Sequence, residues 1–315
     1  MTKGVYTTLD ELRLYEHKAS GFSFLPRQPV HSVLTGRRRS RIRGRGLDFE
    51  ELRTYQPGDD VRTIDWRVTS RTRKPHVRVF TEERERPVLV LVDQRSSMFF
   101  GSKRAMKSVV AAECAAMAAW RVLSVGDRLG GIVFGDEELT EVRPHRSRKR
   151  VLQLLKEIVE YNRRLIKPTV DSAQMLNKVL RRTINLAKHD YLICLITDTR
   201  GANEETGQLL TTLSRHNDVL IGYVFDPLER ELPAENQLVF SGDGGQILVD
   251  GTESQLRAAY SVAFEKRLDE ARKFLLKRTI PLVPICTDKD VSKQIRAALG
   301  HRPGRTPAVK VRGKR

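Results

Sequence analysis

Asp93, Arg95, Ser97 and Asp198 are the residues whose types and positions most suggest chemistry. Asp93 closes the apolar run Val88-Leu89-Val90-Leu91-Val92, and Asp198 closes a second run, Tyr191 to Thr197. Runs without polar alternation read as parallel strands buried on both faces. A carboxylate at a strand's carboxyl end lies where open α/β sheets place their ligand sites. In extended chain, residues two apart share a face, so Asp93, Arg95 and Ser97 point at one spot. Two carboxylates and a hydroxyl suit a hard divalent cation such as magnesium or manganese. Residue 95 is an arginine, and its guanidinium supplies positive charge and planar donors in the ion's place. The expectation is therefore no specific metal site, with Arg95→Ser restoring one. Two alternatives stand beside it. Arg95 can swing to solvent and leave weak magnesium or manganese binding, or both aspartates can simply cap the helices that follow them.

Other catalytic patterns are missing. The seven histidines are scattered, with no paired zinc spacing and no His-Glu-x-x-His. There is no Gly-x-Ser-x-Gly elbow. The turn Gly242-Asp243-Gly244-Gly245 lacks a Walker lysine and a following helix. Asp59, Asp60 and Asp65 lie among arginines and read as structural ion pairs rather than acid/base groups. Cys114, Cys194 and Cys286 sit far apart in apolar segments and read as buried free thiols of a reducing cytosol.

The elements that must position the aspartates follow from the hydropathy pattern. A short helix runs from Thr7 or Thr8 to about His17, and residues 21–36 form a linker. Residues 37–87 are a dense charged block with a Pro57-Gly58 turn of type II and a strand at Val77 to Phe80. From Val88 onward strands alternate with helices. Strands are expected at Val88 to Val92, Arg128 to Phe134, Leu139 to Val142, Tyr191 to Thr197, Val219 to Phe225 and Leu282 to Cys286. Helices are expected at about 102–123, 148–161, 171–187, 254–276 and 291–299, with a hairpin near 238–249. This predicts an α/β fold with a doubly wound, mostly parallel sheet.

The 315 residues carry 57 basic and 39 acidic side chains, for a net charge of +18. Clusters fall at Arg37 to Arg45, at Arg143 to Arg150, and in the tail 301–315, which reads as disordered. Such a balance admits a nucleic-acid partner, although no helix-turn-helix, zinc finger or aromatic RNA-binding motif accompanies it. No apolar run reaches the length of a membrane helix, and no secretory signal is visible.

The stretch 43–66, Arg-Gly-Arg-Gly-Leu-Asp-Phe-Glu-Glu-Leu-Arg-Thr-Tyr-Gln-Pro-Gly-Asp-Asp-Val-Arg-Thr-Ile-Asp-Trp, resembles the signature of the bacterial domain of unknown function 58 family. Its motif positions here are Arg45, Gly46, Glu50, Arg53, Tyr55, Pro57, Gly58, Asp59, Asp60, Arg62, Asp65 and Trp66. The resemblance continues through 80–87, the Asp93 loop, Thr197-Asp198 and the stretch 226–233. It implies a von Willebrand factor type A domain at 88–300, preceded by a family-specific block at 37–87. In such a domain the Asp-x-Ser-x-Ser loop, a second aspartate and a threonine hold the metal. Asp93, Ser97 and Asp198 match, Arg95 departs, and Thr169, with Ser172 second, is the candidate threonine. The resemblance further implies a non-enzymatic partner of a MoxR-type AAA ATPase that helps to remodel a client protein. It would act in the cytoplasm or peripherally at the inner membrane.

Overall fold

The computed structural model describes residues 4–23, 47–82, 86–165, 173–235, 238–242 and 245–300. The arginine cluster 37–45, Gly46, Thr169, Ser172 and the tail 301–315 lie outside the described residues. The chain divides into two compact units, His31–Glu85 and the remainder.

The larger unit is built on a six-stranded sheet. Its strands are β3 (Pro87–Asp93), β4 (Arg128–Phe134), β5 (Leu139–His145), β6 (Leu192–Thr197), β7 (Asp218–Phe225) and β10 (Leu282–Cys286). They lie in the order β10-β7-β6-β3-β4-β5, parallel except for β5, which runs antiparallel along β4 at the edge. This is the doubly wound, mostly parallel architecture that the hydropathy pattern predicts. The alternation within β3 explains it. Val88, Val90 and Val92 face a core with α4 (Lys107–Ser124) and α5 (Arg148–Arg164), whereas Leu89 and Leu91 face one with α6 (Ala173–Leu186) and α7 (Glu204–Ser214). All seven β3 residues are buried.

The N-terminal segment belongs to this unit. The expected single helix is two, α1 (Leu9–Arg13) and α2 (Tyr15–Lys18), after a capping box between Thr8 and Glu11. Leu12 and Tyr15 join the α4 core, and the Trp120 indole donates to the Leu12 carbonyl at 3.1 Å. Helix α4 starts five residues later than the pattern suggests. Its preceding loop is held open because Ser102 donates both its amide and its hydroxyl to Asp226. The helix α7 was not anticipated. Gly207 and two threonines weaken its pattern, but an Asn203–Thr206 capping box starts it. The remaining elements are the short α8 (Pro227–Arg230), the hairpin β8 (Leu238–Gly242) with β9 (Gly245–Val249), the long α9 (Ser254–Leu276), and α10 (Val291–Leu299).

The smaller unit pairs β1 (Leu47–Thr54) with β2 (His76–Glu82) in antiparallel register, with a bulge at Glu50. Between them lie a 3-10 turn (Val61–Thr63) and α3 (Trp66–Thr72), neither evident from periodicity. Gly58 takes a φ of +100°, as the Pro-Gly turn requires.

Trp120, only 2% exposed, anchors α1 onto α4. Trp120→Ala is expected to cost roughly 3–5 kcal/mol, measured by denaturant unfolding. Trp120→Phe should recover most of the packing while losing the hydrogen bond to Leu12.

Candidate functional site

Three parallel strands end side by side in carboxylates: β3 in Asp93, β6 in Thr197-Asp198 and β7 in Asp226. Asp93 is wholly buried and Asp198 nearly so. Both are occupied by fixed cations. The Arg95 guanidinium, 0% exposed, grips Asp93 through Nε at 3.0 Å and Nη2 at 2.7 Å. The Arg95 amide and the Thr197 hydroxyl donate to the same carboxylate at 3.0 and 2.6 Å. The same Nη2 also donates to the Arg200 carbonyl at 3.1 Å and lies 3.7 Å from Asp198 Oδ1.

A second cation completes the site. Lys107, at the first residue of α4, is wholly buried and places Nζ 2.8 Å from both Asp198 Oδ2 and Glu229 Oε1. Glu229 in turn accepts the Asp226 amide at 2.8 Å. Asp226 gathers Ser102, Thr287 and the Leu228 amide. One chain of charge thus runs across the strand ends from β3 to the residue after β10.

The electrostatics follow from burial. Desolvation pushes the Asp93 carboxyl upward, against the pull of the Arg95 charge and hydrogen bonds. Desolvation also works against ionised Asp198, but Lys107 and the Arg200 amide hold its carboxyl below the ordinary range. Burial would lower the Lys107 ammonium, yet Asp198 and Glu229 raise it above the ordinary lysine value. The carboxylates and the lysine of this arrangement are all engaged with one another or with hydrogen-bond donors. The thiols are no alternative: burial pushes Cys194 up to about 12 and Cys286 up to about 11.

These residues do not fit a divalent cation. Magnesium needs near-octahedral oxygen ligands, and the oxygens of Asp93 and Asp198 already accept from Arg95, Thr197, Lys107 and Arg200. Ser97 Oγ is the exception, buried with no hydrogen-bond partner. Carboxylates already engaged by two fixed positive charges, with one unpartnered hydroxyl, do not make a metal site.

Sequence reasoning singled out Asp93, Arg95 and Asp198, which come together here, and Ser97, whose hydroxyl meets none of them, and missed Lys107, Glu229 and Asp226. Lys107 did leave a signal. A lysine in the first turn of a helix opposes the helix dipole, and the run that follows it is apolar, so the position needs carboxylates nearby.

The family-block residues serve elsewhere. Arg53 pairs with Asp59 at 2.6 Å, and Asp59 also accepts the Gln56 amide at 2.9 Å. The Tyr55 amide donates to the Pro75 carbonyl. Asp60 caps the 3-10 turn through the Arg62 amide. Asp65 caps α3 through the amides of Arg67 and Val68 and pairs with Arg78 at 2.8 Å. The bond from Arg78 holds the Asp65 carboxyl below its ordinary range. Arg45 and Gly46 lie outside the described residues, and for Glu50 only the backbone is described.

The strand order, the antiparallel edge strand and the aspartates at the strand ends define a doubly wound α/β domain with its candidate site at the carboxyl ends of the strands. The chain belongs to the family described as protein of unknown function DUF58, whose model matches residues 51–270. It is 30% identical over 274 residues to uncharacterized proteins of Mycobacterium bovis and of two Mycobacterium tuberculosis strains, covering 84% of this chain and 82% of theirs. Among solved structures it is similar to an aerotolerance-related membrane protein from Bacteroides fragilis (14% identity, TM-score 0.43, 67% of this chain and 95% of that one). It is also similar to a conserved hypothetical protein, BatB, from Bacteroides thetaiotaomicron (12% identity, TM-score 0.39, 67% and 94%). At these scores the likeness says nothing about shared activity.

Arg95→Met leaves Asp93 buried without its counter-charge and is expected to cost about 3–5 kcal/mol. Asp93→Leu in the same chain should return much of that loss, measured by denaturant unfolding. The Lys107–Asp198 pair makes a pH prediction. Asp198 is depressed, so its contribution is complete above the ordinary carboxylate value of 3.8 and is lost as pH falls through its folded value. Lys107 is raised, so its contribution is complete below the ordinary lysine value of 10.5 and is lost as pH rises through its folded value. The stability difference between the native chain and Lys107→Met should therefore be largest in the middle of the pH range and shrink on acidification, as Asp198 of the variant protonates, and at strongly alkaline pH, as Lys107 of the native chain deprotonates. A difference that grows on acidification would contradict the assignment.

Proposed function

We propose that this chain is a non-enzymatic protein-interaction module, an adaptor or co-chaperone that serves a MoxR-type AAA ATPase acting on a client protein in the cytoplasm. The observation that carries the reading is the closed state of the strand-end site. Its carboxylates, the groups with which such a site would do chemistry, are consumed by Arg95 and Lys107. Among the described residues no group of three or more His, Cys, Asp and Glu side chains is placed to hold a metal. None of the described helices is long and apolar enough to cross a membrane. What remains is a rigid α/β body with loops at one sheet edge, the form in which scaffolds present binding surfaces.

The test is co-purification with an AAA ATPase encoded beside the gene. A stable complex is expected, with the ATPase rate changed by the partner and no turnover by this chain alone. Nucleotide or phosphoester hydrolysis by the isolated protein, retained after stringent repurification, would sink the reading.

On the same reading, Arg95 and Lys107 take the place of the divalent ion. Titration calorimetry with magnesium and manganese should show no specific binding to the native chain. Because Lys107 still neutralises Asp198, Arg95→Ser alone is expected to bind weakly, and Arg95→Ser with Lys107→Met to bind at least tenfold more tightly. Tight stoichiometric binding by the native chain would refute the replacement.

A further inference from the structure

Within the family motif, Arg53, Asp59, Asp60 and Asp65 are spent on the chain itself. They build a turn, cap a 3-10 turn and cap α3. Trp66 and Arg62 are spent on nothing of the kind. Trp66 is 70% exposed, and Val61, at the start of the 3-10 turn, is 59% exposed. A scaffold of ion pairs and caps thus ends in a tryptophan held out to solvent.

The surroundings of Trp66 are one-sided in charge. Residues 61–75 contain five cations, Arg62, Arg67, Arg71, Arg73 and Lys74, and one carboxylate, Asp65. Asp65 is buried and already bound to Arg78. All five cations are exposed, and none forms an ion pair among the described residues. Helix geometry puts two of them, Arg67 and Arg71, on the side of α3 that carries the tryptophan. The inward side of α3 is marked by Thr69, whose hydroxyl accepts the His76 amide, and by Thr72, which contacts the His76 ring. At 3.6 residues per turn, Trp66, Arg67, Ser70 and Arg71 share an arc of about 140° on the opposite side.

We infer that this outward face of α3 is a docking surface for an acidic segment of a partner protein, one that carries an apolar residue among its carboxylates to cover Trp66. Tryptophan and arginine are the residues that dominate protein interfaces when desolvated. Guanidinium groups recognise carboxylates through paired hydrogen bonds. A single-stranded nucleic acid is the competing polyanion, but it asks for successive aromatic faces along a groove. Here one indole stands on a convex helix, and Val61, the other exposed apolar residue of the 61–75 stretch, has no ring to stack. The inference rests on the reading of the chain as an interaction module and gives that module a surface distinct from the strand-end site.

Fluorescence anisotropy on the full chain tests it with three probes. The first is a labelled 18-residue peptide of glutamate and leucine at helical spacing. The second is the same peptide with glutamine for glutamate, and the third is a 20-nucleotide oligothymidylate. The glutamate peptide is expected to bind at least tenfold more tightly than the glutamine peptide. Trp66→Ala, and separately Arg67→Ala with Arg71→Ala, should each weaken it at least tenfold, while the double lysine variant, which keeps the charge but not the paired donors, should fall between the native chain and the double alanine variant. Should Trp66→Ala fail to fold, Trp66→Ser and the double arginine variant at exposed positions carry the same reading. Peptide affinity untouched by these variants, or no binding by the native chain, overturns the inference. So does tighter binding of the oligothymidylate with a salt dependence that falls in the arginine variant, since that makes nucleic acid the ligand. An ATPase complex that survives all the variants removes this surface but leaves the adaptor reading in place.

Discussion

The larger unit depends on how it neutralises charge at the ends of its strands. Asp93, Asp198 and Asp226 terminate three adjacent strands in places where water is excluded. Isolated carboxylates there would be costly enough to oppose folding. Each is compensated by a group from a different element: the Arg95 guanidinium, Lys107 of α4, and the hydroxyls of Ser102 and Thr287. The network therefore ties β3, β6, β7, α4 and the chain after β10 to one another. It also shapes the β3–α4 loop, where Ser102 gives both its donors to Asp226.

The smaller unit spends its charges differently. Its described carboxylates act as caps and turn clamps: Asp59 on Gln56, Asp60 on Arg62, Asp65 on Arg67 and Val68. These are local bonds between residues a few positions apart, and they hold the turn and the helix. Val77 is the wholly buried hydrophobic residue among the described side chains there. A structure held by local capping rather than by packing can leave a large aromatic residue outside without loss, because Trp66 was never part of a core.

The sheet was legible because β3, β6 and β7 are continuous apolar runs whose period and length admit few other readings. The pairing of Asp93 and Asp198 was legible because two such runs end alike. Lys107 was not, since a lysine before an Ala-rich run looks like the solvated end of an amphipathic helix, and only the crossover that brings α4 over β6 gives it a partner. Helix α3 was hidden for another reason. Its seven residues make less than two turns, and its outward side is arginine and tryptophan rather than a polar face opposite an apolar one. Helix α7 was hidden by composition, with Gly207, Thr211 and Thr212 diluting its propensity. The acid/base alternative for Asp59, Asp60 and Asp65 gives way to the caps and ion pairs seen here.

A cation that belongs to the chain differs from one that binds to it. A bound divalent ion leaves a coordination position for a partner's carboxylate and makes docking depend on metal concentration. Arg95 and Lys107 are wholly buried, and their donors face Asp93, Asp198, Glu229 and the Arg200 carbonyl. They have no open position to offer. On the proposed reading, the strand-end site has therefore passed from contact to support: it holds the loops in one arrangement whatever the ion concentration. Recognition then falls to surfaces whose charges remain unspent, and the outward face of α3 is where the described residues leave arginine and tryptophan together and uncompensated.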